Sequence, residues 1–176
     1  LIKINRMKRR LLFLFAVFMV GASVGWGQMI PTYYKVAVGT DGDGSSAGSP
    51  IYKTNLETAL SDAALSSLDS VIILLPEGVY SANAAPYFIT KSSLAIIGEG
   101  DTSTVTIKSP VDIGLTNGGN VSFQKVHLTA KTSTGRGVVD IKSSKTTVSF
   151  SESKITIEGR GTGDSGSGAC FGIVSQ

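Results

Sequence analysis

The feature that most limits what this chain can fold into is an internal repeat. Leu94-Ala-Ile96, Val121-Ser-Phe123 and Val148-Ser-Phe150 are apolar-small-apolar triplets that begin at evenly spaced positions. A second series is Val105-Thr-Ile107, Val126-His-Leu128 and Ser153-Lys-Ile155, whose later interval equals that of the first series and whose earlier one is shorter. A third, Val111-Asp-Ile113 and Val139-Asp-Ile141, has an interval one residue longer. A fixed period of roughly 27 residues marks a solenoid, because one repeat cannot bury its own apolar face and must stack on its neighbours. Three short strands per repeat imply a coil with three sheets. Each strand then lies roughly 4.8 Å from its equivalent one coil earlier.

Period-two alternation sends Val121, Phe123, Val126 and Leu128 inward, and places Ser122, His127 and Thr129 toward water. Ser93, Asn120 and Thr147 recur at the same interval as the first series and are expected to superpose and hydrogen-bond between coils. Upstream, Tyr34 to Val38 alternates like a strand, and Gly39 to Pro50 is rich in turn formers. Thr54 and Glu57 have capping-box spacing, and Leu56, Ala59, Leu60 and Ala63 form one apolar helical face. Val71 to Leu75 is continuously apolar, as a strand buried on both faces would be. The fold expected is all-β: a parallel β-helix with an N-terminal capping α-helix. Its parts are upstream residues and a signal peptide (1–27), a leading strand and Gly/Asp/Ser-rich loop (28–53), the capping helix (54–68) and the coils (69–176).

The first residues have the order of a secretory signal peptide. Met7 precedes Lys8-Arg9-Arg10, then the apolar run Leu11 to Val20, then small residues ending at Gly27. That run falls short of the roughly 20 residues a membrane-spanning helix needs. Cleavage near Gly27/Gln28 is expected, leaving an exported chain, secreted or at the cell surface, with no membrane span. The leader holds five of the 16 basic residues and none of the 13 acidic ones, so eleven basic residues remain and the net charge becomes −2. Nucleic acid is a poor partner for such a surface, because phosphate binding needs released counterions. A single cysteine, Cys170, excludes an intramolecular disulfide. It reads as a small hydrophobe, or as a site of intermolecular pairing.

The succession Tyr34-Lys-Val-Ala-Val-Gly39-Thr-Asp41, Thr54 to Ala63, Val71 to Leu75, Gly78-Val-Tyr80 and Leu94-Ala-Ile-Ile-Gly98 resembles the start of the secreted right-handed parallel β-helix proteins. These include pectate lyases, pectin methylesterases and many bacterial surface proteins. The resemblance spans roughly residues 34–160. It implies right-handed winding, which parallel connections favour in general, and an extracellular polysaccharide as partner. In the methylesterases the GxY turn usually continues to a glutamate. Here Ser81-Ala82 follows, and their GxxDFxFG motif is absent, so no catalytic residue is carried over. Polysaccharide binding or adhesion is the leading expectation. The alternatives are a lyase or esterase whose catalytic coils lie outside this chain, and a structural stalk.

Four residues stand out as candidate ligand contacts. Asp112 and Asp140 are the outward centres of two Val-Asp-Ile triplets on successive coils. Their carboxylates are expected about 5 Å apart, close enough to share a calcium ion, although calcium takes about six to eight oxygens. Ordinary solvated strand residues are the plainer account. Arg136 and Arg160 lie in Gly-Arg-Gly loops, as candidate contacts for an acidic glycan. His127, Asp140 and Ser165 follow a serine-protease chain order, but their spacing leaves no room for two β-barrels. Gly161 to Gly166 fits GxGxxG without the helix that a dinucleotide site needs. Asp41-Gly-Asp43-Gly-Ser45 lacks the later ligands of a calcium loop and reads as a turn. Phe171 to Val174 starts a further coil just before Gln176, so the solenoid is expected to continue past this chain. Residues 28–176 alone should therefore aggregate or dimerise end to end through open strand edges; a monodisperse monomer in analytical ultracentrifugation would contradict this.

Overall fold

A computed structural model describes residues 31–67, 69–82, 86–132, 136–160 and 171–175. The elements in chain order are β1 (Thr32–Val36), β2 (Ile51–Lys53), α1 (Leu56–Leu65), β3 (Val71–Leu75), β4 (Gly78–Tyr80) and β5 (Tyr87–Ile89). Then come β6 (Ser93–Gly98), β7 (Val105–Ile107), β8 (Val111–Ile113), β9 (Gly119–Gln124) and β10 (His127–Thr132). The last are β11 (Gly137–Ile141), β12 (Thr146–Ser151), β13 (Lys154–Arg160) and β14 (Phe171–Ser175).

Every strand pairing among the described residues is parallel, and every third strand from β3 onward joins the same sheet. Sheet A has the order β12-β9-β6-β3-β1-β2, sheet B β13-β10-β7-β4, and sheet C β14-β11-β8-β5. The result is a parallel β-solenoid of about three turns with roughly 27-residue coils. The observed registers are those the repeat requires. Val121 sits opposite both Leu94 and Val148, Leu128 opposite Ile107 and Ile155, and Val139 opposite Val111.

Alternation builds the core. Ile73, Ile96, Ile107, Ile113, Phe123 and Leu128 point inward and are fully buried. Phe123 stacks on Phe150 of the next coil, with ring centroids 5.3 Å apart, a separation that suits offset aromatic packing. On sheet B an expected solvent-facing residue, Thr129, is buried instead. It stands in register with Thr156, on a strand flanked on both sides. Ser122 and His127 remain partly exposed. Ser93, Asn120 and Thr147 superpose as expected. The link between coils there is nevertheless a backbone one: Asn120 N–H donates to the Ser92 carbonyl at 2.8 Å.

Tight corners join sheets A and B. Lys125 and Glu152 occupy equivalent corners on successive coils and adopt left-handed backbone conformations, with φ of 54° and 49°. The same position one coil earlier is Gly98, where a Cβ would collide with the Lys125 carbonyl oxygen. Only glycine allows that approach.

The helix covers the start of the solenoid. Leu56, Ala59, Leu60 and Ala63 enter the same apolar core as β1 and β5. Its N-cap is Asn55, not Thr54: the Asn55 side-chain oxygen accepts the Thr58 N–H at 2.8 Å. The capping-box spacing is therefore one residue out of register with the real first turn. Edge strand β2 is shielded by the preceding loop, where the Asp41 carboxylate accepts the Tyr52 N–H at 2.7 Å. Asp43 accepts from the Ser45 N–H and hydroxyl at 2.9 and 2.6 Å, so this segment is a self-satisfied turn. Tyr80 donates to the Pro76 carbonyl at 2.6 Å, and burial pushes its phenol, like that of Tyr87, up to about 12.

Because Phe123 is fully buried and stacked across coils, Phe123→Ala should lower stability by about 3–5 kcal/mol. Urea denaturation followed by circular dichroism would read this as a lower midpoint with little change in slope.

Candidate functional site

Asp112 on β8 and Asp140 on β11 are direct register partners on the outer side of sheet C, as their triplets implied. Their surroundings differ from the solvated residues expected. Asp112 is 3% exposed and Asp140 0%. Two long side chains cover them. Arg136, from the residue just before β11, places one Nη2 atom 2.9 and 3.0 Å from the two Asp112 oxygens, and its Nε 3.2 Å from Asp140. Lys142, just after β11, brings Nζ to 2.5 Å from Asp112. The remaining Asp140 oxygen accepts the Gly137 N–H at 2.7 Å.

The result is a chain of alternating charge, Lys142–Asp112–Arg136–Asp140, that joins two coils. Burial opposes the charged guanidinium, but hydrogen bonds and charges from Asp140 and Asp112 outweigh it and hold the Arg136 pKa above its ordinary value. Lys142 was missed in reading the sequence. The signal was its place two residues after Asp140, which alternation puts on the same face.

A calcium ion does not fit this donor set. The carboxylate oxygens of Asp112 and Asp140 already accept from a guanidinium, an ammonium and a backbone amide. Among the described residues no group of three or more His, Cys, Asp or Glu side chains is placed to hold a metal. The loop charge of Arg136 is likewise engaged, although its side chain keeps 42% exposure.

The other sequence candidates separate. Arg160 pairs by its backbone with Thr132 in sheet B, and its side chain lies outside the described residues. Ser165, the glycine-rich segment 161–166 and Cys170 also lie outside them. His127 belongs to sheet B, where Nε2 meets the Thr156 hydroxyl at 2.9 Å, while Asp140 is on sheet C. Desolvation and the nearby Lys154 charge lower the His127 pKa.

The outer face of sheet A has a different character. One column across it reads Tyr33, Ile72, Ala95, Ser122 and Ser149, each in register with the next. Beside it run Lys35, Leu74, Ile97, Gln124 and Ser151. The Ser93, Asn120 and Thr147 column completes the face. Lys35 is the one charged residue in these three columns, and Glu99 neutralises it at 2.8 Å. Sheets B and C carry the charges instead, with Lys108, Lys154 and Glu158 on B and the Asp112 ion pairs on C.

Arg136→Ala would leave two buried carboxylates short of a cation. Allowing for screening at the half-exposed guanidinium and for the remaining Lys142, the loss should be about 2–3 kcal/mol. Calcium or chelator should leave the melting temperature of the unaltered chain unchanged; a calcium-dependent rise in differential scanning calorimetry would mean that the ion displaces Arg136. In comparisons with known proteins, no family model, no curated protein and no solved structure matched this chain.

Proposed function

We propose that this chain is an exported β-helix module that holds an extracellular polysaccharide on the outer face of sheet A, by binding and not by catalysis. The observation that carries this reading is the row of aligned side chains there. Successive coils set Ala95, Ser122 and Ser149 in register, with Ile97, Gln124 and Ser151 beside them. A repeating ligand meets a repeating surface on such a face, so modest contacts add up along its length. Hydroxyls and amides next to half-exposed aliphatic groups are the mixture that recognises sugars, which have apolar ring faces and polar rims.

The leader sequence supports export. The likeness to secreted β-helix proteins supports a polysaccharide as ligand class. Among the described residues no helix is long and apolar enough to cross a membrane. Binding is favoured over catalysis because the two adjacent carboxylates, Asp112 and Asp140, are held in ion pairs with Arg136.

The test is a panel of pectin, polygalacturonate and neutral glycans, with calcium and with chelator, scored for both retention and product release. Retention without products, insensitive to chelator, is the expected result. Calcium-dependent release of unsaturated products would make the chain a lyase. Absence of both would leave a structural stalk.

A further inference from the structure

Resting on that reading, we infer that the ligand of sheet A is a neutral glycan strand lying along the solenoid axis, not an acidic one. The two other sheets carry lysines and carboxylates on their outer sides, whereas the three columns of sheet A hold one charge, Lys35, already paired with Glu99 at 2.8 Å. Solubility alone does not require such segregation, since charged side chains are tolerated at any outward strand position. A long face whose single charge is already paired suits a partner that has none.

Desolvation makes the choice of ligand. A uronate or sulfate laid on this face would lose hydration without gaining a counter-charge, and an unpaired charge removed from water is strongly disfavoured. A neutral sugar exchanges water hydrogen bonds for those of Ser122, Gln124, Ser149 and Ser151 at little net cost. Ile72, Ala95 and Ile97, all half-buried, offer the apolar strip on which pyranose ring faces can rest.

The axial direction follows from spacing. Strands recur at roughly 4.8 Å along the axis, close to the length that one sugar residue adds to an extended chain. Each sugar then meets an equivalent position one coil further on: Ala95, then Ser122, then Ser149. Across the axis the pattern breaks at the corners formed by Gly98, Lys125 and Glu152.

Affinity electrophoresis of the full chain through gels containing hydroxyethyl-cellulose, neutral galactan or polygalacturonate at low salt tests this. A neutral polymer should retard the chain at least about tenfold more than polygalacturonate, because the acidic polymer would leave charges unpaired on the face. Ser122→Lys should abolish most of that retardation, while Thr106→Lys on sheet B should leave it intact. Ser149→Lys, at an exposed position, gives a second variant whose folding is not in question. Preference for polygalacturonate, or equal loss in the sheet B variant, would overturn the neutral assignment and leave polysaccharide binding standing. No retardation by any glycan would remove both; and if Ser149→Lys then suppressed concentration-dependent association in sedimentation, the face would be an interface between copies of this chain.

Discussion

Parallel backbone pairing between coils is the interaction on which the rest of this structure depends. Among the described residues, no strand from β3 onward finds its partner in its own coil. Each of β6 to β11 is hydrogen-bonded on one side to the coil before it and on the other to the coil after it. One such bond stabilises by only about 0.5–1.5 kcal/mol net, but pairing also sets register, and register decides which side chains enter the core. A slip of one residue would turn Val121 and Phe123 outward and Ser122 inward. The identical registers of Leu94, Val121 and Val148 therefore couple backbone order to apolar burial.

Side chains reinforce this order wherever polar groups must be accommodated. Arg136 joins Asp112 and Asp140 on neighbouring coils, His127 meets Thr156, and Lys35 reaches Glu99. Each of the three ties includes a contact from one coil to another. The Asp112–Arg136–Asp140 cluster is the most buried of them, and its carboxylates would be strongly destabilising without their cations. It behaves as a staple between coils. On sheet A the one charge in the outer columns, Lys35, is already paired with Glu99, which leaves that face suited to an uncharged partner.

Solenoid ends expose both core and strand edges, and the N-terminal end here is closed in two ways. The helix lays Leu56, Ala59, Leu60 and Ala63 over the first coil beside β5. The loop after β1 occupies the edge of β2, where the Asp41 carboxylate takes the Tyr52 N–H that another strand would otherwise use. Closure by a helix satisfies the apolar requirement, and closure by a carboxylate satisfies the hydrogen-bonding one. Neither element could do both.

The period, the three strand series, their registers and the inward residues were legible in the sequence, because alternation and equal spacing are local properties that survive any arrangement of loops. The adjacency of Asp112 and Asp140 was legible for the same reason. Their burial was not, because it depends on Arg136 and Lys142 folding across from the ends of β11. Thr129 was misplaced because its exposure is set by the flanking strands. The helix start was misplaced by one residue because Thr54 and Asn55 are both competent caps, and packing of Leu56 against the core chose between them. Sequence alone thus determined the architecture, which follows from a repeated local pattern. Tertiary structure decided which polar groups stay in water, because that depends on side chains arriving from another coil.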